Sequence, residues 1–336
     1  MNFVTGGTGL LGSHLIYDLL LKGEKVRALK RSASKIQQLK KTISYYETNP
    51  DILFDKVEWV DGDVLDYHSI NNALQDVKHV YHCAAIVSFD PKKRDELIRD
   101  NVQGTANLVN ASLDQKIEKF CLVSSVSAVG RSVSSKLITE DGAWVNSKNK
   151  SAYGISKHLS EMEVWRGIAE GLNAVIVNPS IILGPGNWNS GSSKLFSTIS
   201  RGMKFYTKGI TGYVDVRDVT EIMIRLMESK INAERFILNS ENLSYEVVFK
   251  MIAESLGVKI PGIYARKWMS ELVWRLDKIK EKVLQKPALI TRETARTAHK
   301  EVYFSNQKIK ETLEFEFIPT ERSIKRVSDL FLKDFN

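Results

Sequence analysis

The stretch Asn2-Phe3-Val4-Thr5-Gly6-Gly7-Thr8-Gly9-Leu10-Leu11-Gly12 decides the fold. Residues 2–5 read as a short strand. A helical pattern of Leu10, Leu11, Leu15, Ile16, Leu19 and Leu20 follows the glycines and stops at Gly23. Gly6, Gly9 and Gly12 form Thr-Gly-x-x-Gly-x-x-Gly, and Gly7, Gly9 and Gly12 also satisfy G-x-G-x-x-G. Glycine suits a chain that turns sharply from strand to helix while bringing its backbone against a pyrophosphate. The helix that opens at Leu10 points unpaired N–H groups and its positive dipole end at the phosphates. Gly6, Thr8, Gly9, Leu10, Leu11 and Gly12 are therefore the candidate phosphate-binding residues.

Working outward, strand-like runs recur at Lys25 to Leu29, Val57 to Val60, His79 to Ala84, Phe120 to Ser124, Ala174 to Asn178 and Arg235 to Leu238. Helical patterns fall between them, notably at 69–76, 100–114 and 152–170. This alternation, with mostly apolar strands, predicts an α/β protein built on a Rossmann-type, doubly wound parallel sheet covered on both faces. After Pro179 the texture changes to a glycine-rich run with scattered aromatics, and residues 241–336 are more helical and more charged. The expected organisation is a dinucleotide-binding domain of residues 1–178 plus 213–240. A smaller, mainly helical C-terminal substrate domain is assembled from 179–212 and 241–336.

Composition narrows the function. With 336 residues, 43% hydrophobic and 26% charged, the chain is neither disordered nor collagen-like nor a disulfide-rich miniature. Cys83 and Cys121 lack ligand-like spacing and read as reduced, buried thiols rather than a zinc site. The net charge is +8, and the segment from Arg266 to Lys286 carries seven basic and three acidic residues. The expected reading is a solvated helix face, with no nucleic-acid partner. Trp268, Leu272, Leu276, Ile279 and Val283 recur there at helical spacing, as a stripe packed on the domain or on a partner subunit, with peripheral membrane contact as the lesser alternative. No run reaches the ~18 apolar residues of a membrane span, and no signal peptide opens the chain. The expectation is a cytoplasmic protein.

An NAD-binding turn places a carboxylate about twenty residues beyond the glycines, where it accepts from the ribose 2′-hydroxyl. Here the second strand ends Val26-Arg27-Ala28-Leu29-Lys30-Arg31, with two cations and no carboxylate. Arg31 can pair with a 2′-phosphate bidentately, with Lys30 beside it, so NADP is expected rather than NAD. Tyr153-Gly154-Ile155-Ser156-Lys157 puts a phenol and an ammonium one helical turn apart. A cation at that distance is expected to lower the phenol's pKa of ~10 toward a useful range. Ser125 adds a hydroxyl after the strand Phe120 to Ser124, at the carboxyl edge of the sheet where open α/β folds bind ligands.

With these residues in place the chain resembles the extended branch of the short-chain dehydrogenase/reductases, particularly the dihydroflavonol reductase-like group. The matching elements run in the family's order: Thr5-Gly6-x-x-Gly9-x-x-Gly12, Gly62-Asp63-Val64, His82-Cys83-Ala84-Ala85, Asn101-Val102-x-Gly104-Thr105, Ser124-Ser125, Tyr153-x-x-x-Lys157, Asn178-Pro179-Ser180 with Gly184-Pro185, and Val214-Asp215-Val216-x-Asp218-Val219. The resemblance implies that Asp63 and Val64 hold the adenine and that Ala84 and Ala85 line the crevice, with Ser124 among the cofactor contacts. It implies that Ser125 binds the substrate oxygen, that Tyr153 donates the proton, and that Lys157 tunes Tyr153 and holds the nicotinamide ribose. Pro179 would sit beside the nicotinamide. Two departures, Asn178 where the family commonly has Arg and Val129-Gly130 where it often has Tyr-Gly, weigh against sugar-nucleotide chemistry more than against hydride transfer. Family members often pair through two helices, one carrying the tyrosine, so a homodimer is expected.

His14 and His82 lack neighbouring ligands and read as structural, with no metal expected. Asn101 reads as a helix cap or a packing polar group. Phe89, Trp188, Phe196, Phe205, Tyr206 and Tyr213 are either core or the lining of an apolar substrate site. The expected function is NADPH-dependent reduction of a carbonyl on a small, largely apolar ketone or aldehyde, or the reverse reaction on an alcohol such as a hydroxysteroid. Alternatives are an NAD-dependent nucleotide-sugar epimerase or dehydratase, and a non-enzymatic NADP-sensing protein.

Overall fold

The computed structural model describes residues 1–31, 35–87, 93–130, 136–145, 150–284 and 292–335. Phe89 lies outside them. In chain order the first half contains β1 (Asn2–Thr5), α1 (Leu10–Leu21), β2 (Val26–Lys30), α2 (Gln37–Ser44), α3 (Asp51–Phe54), β3 (Glu58–Asp61), α4 (Tyr67–Ala73), β4 (His79–His82), α5 (Arg94–Asp114), β5 (Lys119–Val123), β6 (Leu137–Ile138), α6 (Ala152–Ala169) and β7 (Ala174–Pro179). The second half adds β8 (Ile181–Leu183), α7 (Lys194–Ser200), β9 (Phe205–Tyr206), β10 (Ile210–Asp215), α8 (Val216–Glu228), β11 (Glu234–Leu238), β12 (Glu241–Ser244) and α9 (Tyr245–Ser255). It closes with β13 (Ile263–Tyr264), α10 (Lys267–Leu284), α11 (Arg292–Thr297), β14 (Tyr303–Phe304), α12 (Gln307–Leu313) and α13 (Thr320–Phe335).

Seven strands form one sheet in the order β11-β7-β5-β4-β1-β2-β3, with every neighbouring pair parallel. The order reverses at β1 and β4, so their carboxyl ends open the crevice in which such sheets bind ligands. Successive side chains of a strand go to opposite faces. Val4, Tyr81, Cys121, Val123 and Val175 pack under α1 and α8. Phe3, Val80, Phe120, Leu122 and Ile176 pack under α4, α5 and α6. Both faces are thus covered, and β5 and β7 are buried along their whole lengths.

A third cluster joins Leu183, Trp188, Phe196, Tyr213, Phe249, Ile252, Val327 and Phe331. Trp188, Phe196 and Tyr213 are therefore core residues rather than the lining of a substrate site. Phe196 and Tyr213 lie on α7 and β10, and among the described members of the set only Phe205 is well exposed. Residues 213–240 divide: β11 joins the large sheet and α8 packs on α1, whereas β10 pairs with β8 and β12 in a separate three-stranded sheet. The acids of the Val214-to-Val219 motif hold this junction. Asp215 caps α8 and accepts two bonds from Arg326, while Asp218 accepts from the Ile318 amide.

Candidate active site

The turn after β1 is built by excluded volume. A Cβ at Gly6, whose φ is +70°, would stand 2.7 Å from the Ala84 nitrogen, and one at Gly12 would stand 2.3 Å from the Gly6 oxygen. Gly9 is the N-cap of α1 and offers no side-chain cap. The first N–H groups of the helix therefore face outward without an intrahelical partner. Thr5 Oγ1 accepts from the Ala84 amide and bonds His82 Nδ1 at 2.8 Å, and His82 Nε2 bonds Thr105 Oγ1 at 3.1 Å. Burial pushes the His82 imidazole down to about 3, so it is a neutral tie between β1, β4 and α5. His14 is likewise structural, pushed down to about 4 by burial and bonded to the Leu10 carbonyl and the Tyr46 hydroxyl.

A cleft of about 1280 Å³ runs from this turn across the carboxyl edge of the sheet. Gly6, Thr8, Gly9, Leu10, Lys30, Arg31, Asp63, Val64, Ala84 and Ala85 line it, as the sequence leads one to expect. Val64 is wedged against Gly104, where a Cβ would come within 2.8 Å of Val64 Cγ2. The glycine cradle, the uncapped helix end and the length of the cleft fit a dinucleotide. Lys30 is bound to Asp61 at 3.2 Å, whereas Arg31 is exposed, with Asp63 4.0 Å away. Lys35, Gln37 and Gln38 also line the cleft, as do Asn187 and Ser190–Ser193 on the opposite rim. Neither group stands out in the sequence, because the turn motif carries no information about which later loop folds over it. Asp334 of α13 ties the two rims: it accepts from Tyr45 Oη at 2.5 Å, from Trp188 Nε1 at 2.7 Å and from Lys41.

Leu11, Gly12, Ser124, Ser125, Tyr153, Lys157 and Pro179 are not part of the cleft wall. The last five stand at the ends of β5 and β7 and on α6. Ser125 starts a 3-10 turn over Val126–Ala128, accepts from the Ser127 amide and from Ser127 Oγ at 3.0 Å, and its hydroxyl faces the Tyr153 phenol. Lys157 is 4% exposed and donates to the Val123 carbonyl at 2.7 Å. This corrects the expected pairing with the phenol. Burial pushes the Tyr153 phenol up to about 12, opposed by the Ser125 hydroxyl. Burial also pulls the Lys157 ammonium down to about 8, opposed by Cys83 and Glu161. Cys83, whose thiol burial pushes up to about 12, lines the cleft. At neutral pH the site holds a protonated phenol and a mostly protonated amine, the states required of a proton donor and its neighbour.

Behind the site lies a polar network that motif reading does not reveal. Glu161, fully buried one turn after Lys157, accepts from Ser124 Oγ at 2.5 Å and Asn178 Nδ2 at 2.6 Å, and pairs with Arg235 Nη1 at 3.2 Å. The Ser124 hydroxyl is thereby turned away from any cofactor. Asn178 Nδ2 also reaches the Ser125 carbonyl at 2.9 Å, which fixes the strand end that presents the Ser125 hydroxyl. Arg235, from the adjacent strand β11, supplies the cation missing at position 178. The spacing of Lys157 and Glu161 is the one sequence signal, since it puts both on one face of α6. Asn101 is no cap: it lies in the second turn of α5, clamps the Ile86 amide and carbonyl, and donates to Ser156 Oγ.

Comparison with known proteins agrees with this geometry. The NAD dependent epimerase/dehydratase family model matches residues 2–238, and the chain belongs to that family. It is 28% identical over 315 residues to a putative dihydroflavonol 4-reductase of Synechocystis sp., covering 91% of this chain and 87% of the relative. It is 33% identical over 270 residues to sterol demethylase protein B of Methylococcus capsulatus, covering 77% and 76%. Among solved structures, UDP-glucose 4-epimerase of Thermotoga maritima, with UDP-glucose, superposes with a TM-score of 0.77 at 20% identity over the whole of both chains. The chain is thus an extended short-chain dehydrogenase/reductase, within an oxidoreductase and epimerase superfamily that uses NAD(P).

Proposed function

We propose that the protein is an NADPH-dependent carbonyl reductase acting on a small, largely apolar ketone or aldehyde, or in reverse on a secondary alcohol. The observation that carries this reading is the Tyr153 phenol set beside the Ser125 hydroxyl, with Lys157 on the next turn and the dinucleotide cleft alongside. The cofactor, when bound, supplies a hydride to the carbonyl carbon. Ser125 then donates a hydrogen bond to the carbonyl oxygen and fixes its position. Tyr153 gives that oxygen its proton as negative charge develops, so carbonyl, hydride and proton become an alcohol. Lys157, held by the Val123 carbonyl rather than paired with the phenol, would hold the nicotinamide ribose. The backbone around Gly6, Gly9, Leu10, Leu11 and Gly12 would hold the pyrophosphate, Asp63 and Val64 the adenosine, and Pro179 the nicotinamide side.

NADP is favoured because β2 ends in Lys30 and Arg31 with Lys35 on the same cleft wall and no carboxylate at the strand end. Reductase names among the relatives support the reaction class, and the sterol-related one supports an apolar substrate. We further propose a cytoplasmic homodimer paired through α5 and α6, where Leu159 and Met162 are exposed; a sizing column checks it. The decisive experiment incubates the enzyme with NADPH and a panel of ketones and aldehydes, parent against Tyr153→Phe, with mass spectrometry of cofactor released from purified protein. Equal turnover by the variant refutes the mechanism. Release of NAD instead of NADP moves the protein to the nucleotide-sugar epimerase reading, and tight NADPH binding without turnover moves it to a sensor.

A further inference from the structure

The strand pair β9–β13 and the start of α10 carry apolar side chains that none of the described residues covers. Phe205 and Ile263 stand opposite each other in parallel register, which puts them on one face, and they are 45% and 46% exposed. On α10, Trp268 and Leu272 are one turn apart, 63% and 50% exposed. Other positions of the same helix are engaged: Ser270 Oγ bonds His299 Nε2, and Glu271 pairs with Arg275 and faces Arg296. The stripe thus does not pack on the domain at Trp268 and Leu272. The side chains of Leu276, Ile279 and Val283 lie outside the described ones.

Charge identifies the occupant. Residues 201–208 and 256–284 contain ten Lys and Arg against three Asp and Glu, an excess of seven out of the whole chain's eight. The remainder of the molecule is close to neutral, and within 201–208 and 256–275, the segments that carry the patch, seven Lys and Arg stand against Glu271. A two-fold contact between copies would press that excess against itself, because such an interface puts the same patch on both sides. An anionic surface complements it. Isolated Trp, Leu, Phe and Ile tips ringed by Lys and Arg match the way peripheral proteins insert apolar side chains at the headgroup boundary while cations meet acidic lipid. Among the described residues no helix is long and apolar enough to cross a membrane, so the contact is peripheral.

We propose that the β9–β13 pair and the first turns of α10 dock on the surface of an anionic lipid bilayer. The test is sedimentation of the full chain with vesicles of phosphatidylcholine and phosphatidylserine at 7:3, and with phosphatidylcholine alone, at low and at high salt. Binding to the mixed vesicles is expected to be about tenfold or more above that to the neutral ones, and to be lost at high salt. Trp268→Ala with Leu272→Ala, and separately Arg266→Glu with Lys267→Glu, should each weaken it about tenfold. These positions lie outside the cleft, so NADPH binding by the same variants verifies folding. Absence of binding to mixed vesicles, or equal binding by parent and variants, overturns the proposal. So does a dimer on a sizing column that Trp268→Glu dissociates, which would assign the face to a second copy. Retention on immobilised polyglutamate that the Trp268 and Leu272 changes leave intact, without vesicle binding, would assign it to an acidic polymer.

Discussion

Among the described residues, replacing Arg235 with Met removes the only cation hydrogen-bonded to Glu161 and leaves its carboxylate with Ser124 and Asn178. Glu161 is fully buried and the Arg235 side chain is 18% exposed, so solvent does little to replace the lost partner. Breaking such a pair from one side costs about 3–5 kcal/mol. The carboxyl can escape by taking up a proton, which sets a ceiling. From its ordinary value of 4.5, protonation costs about 3.4 kcal/mol at pH 7 and about 1.4 kcal/mol at pH 5.5, at 1.36 kcal/mol per pH unit. Burial already pushes this carboxyl up in the parent, and losing Arg235 pushes it further. A carboxyl raised in the folded state holds a proton that the unfolded chain has released, so stability falls as pH climbs above 4.5 through the folded value. The destabilisation of Arg235→Met should therefore grow with pH, staying below about 1.4 kcal/mol at pH 5.5 and below about 3.4 kcal/mol at pH 7, because the parent carboxyl already starts above 4.5. Adding Glu161→Gln should recover most of it, because the amide needs no counter-charge. Urea unfolding followed by circular dichroism, at both pH values and across all four members of the cycle, measures this. A pH-independent loss, or a double variant no more stable than Arg235→Met, refutes the account.

Four further outcomes are expected. Tyr153→Phe should lower kcat about 10²–10⁴-fold with cofactor affinity unchanged, read by steady-state kinetics and fluorescence titration. Arg31→Ala should weaken NADPH about tenfold or more while leaving NADH unaffected, and Lys35→Ala should do so less, checked by comparing KM for the two cofactors. Gly12→Ala drives a Cβ to 2.3 Å from the Gly6 oxygen and should abolish dinucleotide binding in a titration. Lys157→Met should inactivate the enzyme yet raise its stability. The folded amine sits at about 8 against 10.5 unfolded, so the parent bears a penalty of up to about 3.4 kcal/mol below pH 8 that fades as pH rises to 10.5. Denaturation curves at pH 7 and pH 10 should show the gain at the lower value and not at the higher.

The parallel sheet is legible in the sequence because strands covered on both faces must be apolar along their length, as β5 and β7 are, whereas the edge strand β3 begins and ends on the charged Glu58 and Asp61. The helix α5 begins at Arg94 rather than near residue 100 because its first two turns, Arg94 to Arg99, carry charges that mask the period. Helices α2 and α3 give no clear signal for the same reason: α2 buries only Leu39, Thr42 and Ile43. The aromatics Trp188, Phe196 and Tyr213 are ambiguous in sequence, since core and pocket demand the same side chains, and only the third cluster decides between them. In the site, Tyr153, Lys157 and Ser125 announce themselves by spacing. Where the Lys157 ammonium goes is settled by a carbonyl 34 residues away, and the bonds from Glu161 to Ser124 and Arg235 span 37 and 74 residues. No local pattern encodes such contacts.

The bond from Asp334 to Lys41 closes a loop of 293 residues around the nucleotide cleft. On a ribosome elongating at roughly 5–20 residues per second, α2 waits about 15–60 s for that partner. Until then Lys41, Tyr45 and Trp188 share no common acceptor, and the two banks of the cleft are unlinked. Nascent chains will have formed β1 and its glycine turn long before they can grip a nucleotide firmly. Maturation of the binding site is therefore timed by the synthesis of α13 rather than by the folding of the sheet.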